Sequence, residues 1–78
     1  MKVTVTIKFV FHLKSGNTFE CIEDLNEVVF LQMVGTVKES FKEGVEGVLM
    51  FSDCCVRLSE CAVVEWEVLS ESQEEESQ

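Results

Sequence analysis

The chain has 78 residues, of which 46% are hydrophobic and 27% charged, and its 15 acidic against 6 basic residues give a formal net charge of -9. A chain this short holds one domain with a small core, so its stability is marginal. The acidic excess disfavours binding to DNA or RNA through a basic surface and favours basic proteins as partners.

The clearest pattern comes first in the chain. From residue 3 to residue 13, Val3, Val5, Ile7, Phe9, Phe11 and Leu13 fall on one side, and Thr4, Thr6, Lys8 and His12 on the other. A side-chain period of two marks a half-buried β-strand. Lys14-Ser15-Gly16 then reads as a three-residue hairpin loop, with Gly16 supplying the left-handed position. Counting outward from it pairs Phe11 with Phe19 and Phe9 with Cys21, and all four then share the buried face. The returning strand is expected over residues 18–23.

A helix is expected over residues 25–43. Asp24 reads as its N-cap, with Glu27 three places on as in a capping box. Phe30, Val34, Val37 and Phe41 recur at helical spacing, with Leu25, Val29 and Met33 on an adjoining stripe. Lys42 and Gly44 are C-terminal signals. The rival is a strand at 28–34 followed by a short helix at 36–43, because Val28 to Leu31 is β-prone and Gly35 weakens a helix interior. The last third reads as β again: a short strand over 48–51, a turn at Ser52-Asp53, a partner over 55–58, and a final strand over 62–69. In that strand Val64, Trp66 and Val68 face one way, and Glu65 and Glu67 the other. The expected fold is α+β, with order β-β-α-β-β-β: one antiparallel β-sheet with a helix packed across one face. Residues 1–69 form the single domain, and residues 70–78 (SESQEEESQ) are expected to be a disordered acidic tail.

Candidates for chemistry are few. Cys21, Cys54, Cys55 and Cys61 lack the paired spacing of a zinc site, and read as small apolar filler. Cys54 or Cys55, near a turn, is the thiol expected to be exposed. His12, on the strand face opposite Phe11, reads as a solvated histidine rather than a general base. No nucleophile elbow, zincin motif or phosphate loop is present, so no catalytic, metal-binding or cofactor-binding residue is expected. The chain opens directly into a strand pattern, with no signal-peptide pattern and no run of membrane-spanning length. A cytoplasmic protein with reduced thiols and no membrane contact is expected.

What remains is a surplus of apolar residues. Val10 breaks the polar face of the first strand, Ile22 that of the second, Val63 and Leu69 that of the last, and Val28 and Leu31 lie off the main helical stripe. A small core cannot hide them all, and the remainder can form a protein-binding or self-association surface. The candidate interface residues are Val10, Ile22, Glu65, Trp66 and Glu67. Trp66 reads as core or as an interface anchor, tryptophan being enriched in binding hot spots.

FHLKSGNTFECIE, a strand–tight turn–strand opening, and VLMFSDCCVRLSECAVVEWEVL, a hairpin leading to a strand that alternates valine with acids, resemble the small accessory proteins of bacteriophages and prophages of Gram-positive bacteria. The resemblance implies a role in host takeover, anti-defence or regulation through binding, in the host cytoplasm, and carries over no functional residue. The expected function is thus a non-enzymatic protein-binding module, phage-encoded on this resemblance, with a basic protein partner and self-association into a homo-oligomer. An oligomer that sequesters a small ligand such as a nucleotide is the alternative, with Lys2, Lys8, Lys14 and Arg57 as the basic residues to hold it. A structural or assembly domain is the further one.

Overall fold

A computed structural model describes residues 2–74. Strand β1 (Lys2–Leu13) lies at the centre of a three-stranded antiparallel sheet, flanked by β2 (Thr18–Asn26) on one side and β5 (Cys61–Glu74) on the other. Between β2 and β5 come helix α1 (Glu27–Glu43) and a small hairpin of β3 (Val48–Met50) and β4 (Cys55–Arg57), followed by a 3-10 turn at Leu58–Glu60. The α+β class and the order β-β-α-β-β-β are those expected, and the five strands among the described residues divide into sheets of three and two.

The hairpin register is the expected one. Phe11 stands opposite Phe19, and Phe9 opposite Cys21. The Leu13 N–H donates to Asn17 O at 2.8 Å and closes the loop, while Gly16 adopts a φ of 103°, which disfavours any residue with a Cβ. The buried side of β1 is the core: Val5, Ile7, Phe9 and Phe11 are enclosed, joined by Met33 and Val37 from α1 and by Leu49, Val56, Leu58 and Cys61. Phenylalanine rings tie the layers together. Phe9 lies 5.9 Å from Phe11, 5.4 Å from Phe51 and 6.5 Å from Phe30, and Phe11 lies 5.1 Å from Phe19, centroid to centroid. These separations are those of favourable offset and tilted pairs.

Helix α1 replaces the rival strand at 28–34, but it starts later than residue 25. β2 continues through Leu25, which lies opposite Val5 on the buried side, and Asp24 is held in the ladder by the Thr6 hydroxyl, which donates to its Oδ1 at 2.6 Å. Burying Leu25 across from Val5 outweighs the capping role expected of Asp24. Asn26 is the cap instead: its Oδ1 accepts from the Val28 N–H at 2.8 Å. At the other end Gly44 closes the helix at a φ of 73°, its N–H donating to Ser40 O.

β5 also departs from expectation. It runs to Glu74, so residues 70–74, expected in the tail, pair with the start of β1: Ser70 with Thr6, Glu71 with Val5 and Ser72 with Thr4. The reason lies in β1, whose first residues would otherwise leave one row of backbone groups without a ladder. The rest of the expected tail, residues 75–78, lies outside the described residues. The long β1–β5 pair draws the molecule out to 50 × 23 × 18 Å.

Candidate protein-interaction face

Helix and hairpin pack against one side of the sheet, where the buried residues of β1 lie. The other side of β1 carries Thr4, Thr6, Lys8, Val10 and His12, none of them fully buried. The two registers fix its rows. Ile22, Lys8 and Glu67 lie in line across the three strands; next come Glu20, Val10 and Glu65, then Thr18, His12 and Val63. Four of the five expected interface residues, Val10, Ile22, Glu65 and Glu67, therefore meet on one open face. Ile22 is 59% exposed and Val63 47%. Trp66 stands opposite Phe9, half-buried against the core. A shallow cleft of about 280 Å3 along the β1–β5 seam is lined by Lys8, Val10, Glu65, Trp66 and Glu67.

The face is acidic with a few apolar points. Glu20, Asp24, Glu65 and Glu67 surround two basic-type side chains, Lys8 and His12. His12 Nε2 lies 2.9 Å from Glu65 Oε1, and Thr18 Oγ1 lies 3.4 Å from His12 Nδ1. Hydroxyl, imidazole and carboxylate thus follow one another as in a nucleophile relay, but on the flat, water-facing side of the sheet. Pairs this exposed contribute little to stability. A phosphate beside Lys8 would lie next to Glu67 in the same row, and the repulsion opposes nucleotide binding there. Lys14 lines a second cleft, of about 400 Å3, below the end of α1. Its hydroxyls are engaged internally, Ser40 donating to Val45 O and Ser59 to Glu46, which also pairs with Arg57.

The chain brings together two thiols that the sequence left far apart. Cys21 and Cys54 have their sulfurs 3.3 Å apart, one thiol donating to the other. Burial pushes the Cys21 thiol up to about 12, helped by the Cys54 hydrogen bond and by nearby Glu23 and Asp53. Burial likewise raises Cys61. Cys55 is the exposed thiol. The pairing of Phe9 with Cys21 foretells that Cys21 faces inward; nothing in the sequence foretells that the β3–β4 turn folds over β2. Glu23 anchors that turn, accepting from the Ser52 N–H and hydroxyl at 3.3 and 3.2 Å. Among the described residues no group of three or more His, Cys, Asp or Glu side chains is placed to hold a metal ion, and no helix is long and apolar enough to cross a membrane. Compared with protein families, with curated proteins and with solved structures, the chain finds no match.

Proposed function

We propose that this chain is a protein-binding module that acts by contact rather than catalysis, using the open face of its sheet to hold a basic partner. The supporting observation is that Val10, Ile22 and Val63 form half-open apolar points among Glu20, Glu65 and Glu67 on a face that neither the helix nor the hairpin covers. Apolar points within a charged rim are the usual anatomy of a binding patch, and the charge of -9 speeds encounter with a partner of opposite sign. On the resemblance to phage accessory proteins, the partner is a host or defence protein that the module inhibits, in the cytoplasm. Self-association belongs to a different surface, where Val28, Leu31 and Met50 stand exposed on α1 and β3. The acids repel nucleotides from the face, so the sequestering alternative gains nothing from Lys8.

The test is a photocrosslinking amino acid at Ile22, compared with one at Glu39 on the helix. A basic host protein should be captured from Ile22 and not from Glu39, less at high salt and less when Val10→Lys or Glu65→Lys is introduced. Capture that ignores both salt and these substitutions would refute the reading.

A further inference from the structure

The sheet has two outer edges, and they differ. β2 ends its buried row with Phe19, Cys21, Glu23 and Leu25, so a carboxylate interrupts it, and the turn at Ser52 is fastened to that carboxylate. Among the described residues β5 pairs with β1 alone, and their backbone hydrogen bonds outside the regular ladders do not reach residues 62–72. Every second residue of such a strand turns its N–H and C=O away from its one neighbour. Irregular sites bracket the middle of β5. Ala62 is the extra residue between the partners of His12 and Leu13, and Leu69 that between the partners of Thr6 and Ile7. Between them residues 63–68 keep strict alternation, with Val63, Glu65 and Glu67 on the open face and Val64, Trp66 and Val68 on the other. Val68 is 46% exposed, and Val64 and Trp66 are half-buried, so that row still offers apolar surface.

We propose that the edge of β5 over residues 63–68 accepts an extended segment of the partner protein as a fourth strand, one in which basic and apolar residues alternate. Its basic side chains lie beside Glu65 and Glu67, and its apolar ones beside Val64, Trp66 and Val68. Backbone pairing supplies affinity and the alternating rows supply selectivity, as in other strand-addition complexes. A second copy of this chain fits the edge badly. Antiparallel self-pairing about a two-fold axis normal to the sheet sets the Glu65 and Glu67 row beside its own image, and like charges facing across strands are destabilising. The proposal rests on the protein-binding reading and names the part of the partner that is read.

The experiment titrates the isotope-labelled full chain with a peptide of about nine residues alternating lysine and valine. Two copies of the peptide are N-methylated, each on one of the two alternate sets of backbone nitrogens. A fourth peptide has the same composition in two blocks. The expected result is amide shifts centred on residues 63–68. One N-methylated copy should bind roughly tenfold more weakly and the other nearly unchanged, since only one set faces β5. The block peptide and the Glu67→Lys variant should each lose roughly tenfold as well. Equal binding by both N-methylated copies, with shifts centred on Val10, Glu20 and Ile22, overturns the edge while leaving the open-face reading standing. No binding by any peptide also overturns the edge, and the Ile22 crosslink then decides the open face alone. Concentration-dependent shifts over 63–68 in the free protein overturn it too, by showing a second copy on the edge.

Discussion

The two sides of β1 share a backbone and differ in everything else. Ile7, Phe9 and Phe11 are wholly enclosed, and the rings of Phe30 and Phe51 close over Phe9. One residue away on either side, Lys8, Val10 and His12 lie on the open side, with Glu67 in the row of Lys8, Glu20 and Glu65 in that of Val10, and Glu65 in contact with His12. The first side holds the fold together; the second is left with chemistry that the fold does not consume. Since alternate residues of one strand serve these two ends, substitutions along β1 should separate stability from binding with a period of two.

The sharpest way to break that contrast is at neighbouring positions. Phe9→Ala should cost ~3–5 kcal/mol in urea unfolding, through lost burial and the cavity left behind. That is a large share of what a domain of this size has to spare, at roughly 0.05–0.15 kcal/mol per residue. Lys8→Ala should stay within about 0.5 kcal/mol of the parent. Similar losses at the two positions would abolish the distinction between the faces.

A smaller effect comes from the inner row of β2. The Cys21 thiol is raised on folding to about 12 from an ordinary value of 9.0, so the folded state favours its protonated form. The unfolded chain releases that proton first, and stability should be fully present below about pH 9 and fall as pH rises from there toward about 12. Cys21→Ala should flatten this alkaline fall in pH-dependent unfolding. The same pair predicts that iodoacetamide modifies the exposed Cys55 much faster than Cys21, as peptide mapping would show.

The smallest effects mark where the core ends. Asn26→Ala should remove about 1 kcal/mol with the helix cap. Gly35→Ala should add up to ~1 kcal/mol, since nothing stands within 4 Å of the added methyl group. His12→Ala, which removes an exposed contact with Glu65, should change thermal stability by no more than ~0.2–1 kcal/mol.

Much of the large-scale fold is legible in the chain because local rules and burial agree there. The period of β1, the φ demanded of Gly16 and the spacing of the helical apolar residues each point to one structure. Where they compete, the sequence misleads. Asp24 has the chemistry of a cap and is captured by Thr6 instead, while Ser70 and Ser72 look like tail but complete the ladder that Thr6 and Thr4 require. That Val10, Ile22, Glu65 and Glu67 share one side of the sheet is legible from strand alternation alone. Trp66 was ambiguous because half-burial serves core and interface alike. The Cys21–Cys54 contact depends on how a short hairpin lies across the sheet, which no local pattern encodes.

β1 sits in the middle of the sheet, yet its two neighbours come from distant parts of the chain. β2 follows it within a few residues, whereas β5 begins at Cys61. During synthesis the first hairpin emerges early and then waits for the last strand, for roughly 2–10 s at ordinary translation rates. Throughout that delay the nascent hairpin carries a bare hydrogen-bonding margin and an uncovered phenylalanine flank, which α1 can shield only in part. The same architecture that leaves β5 as the outer strand of the finished molecule makes β1 the outer strand of the unfinished one, and ribosome-bound chains stalled before Cys61 should be the ones that recruit chaperones.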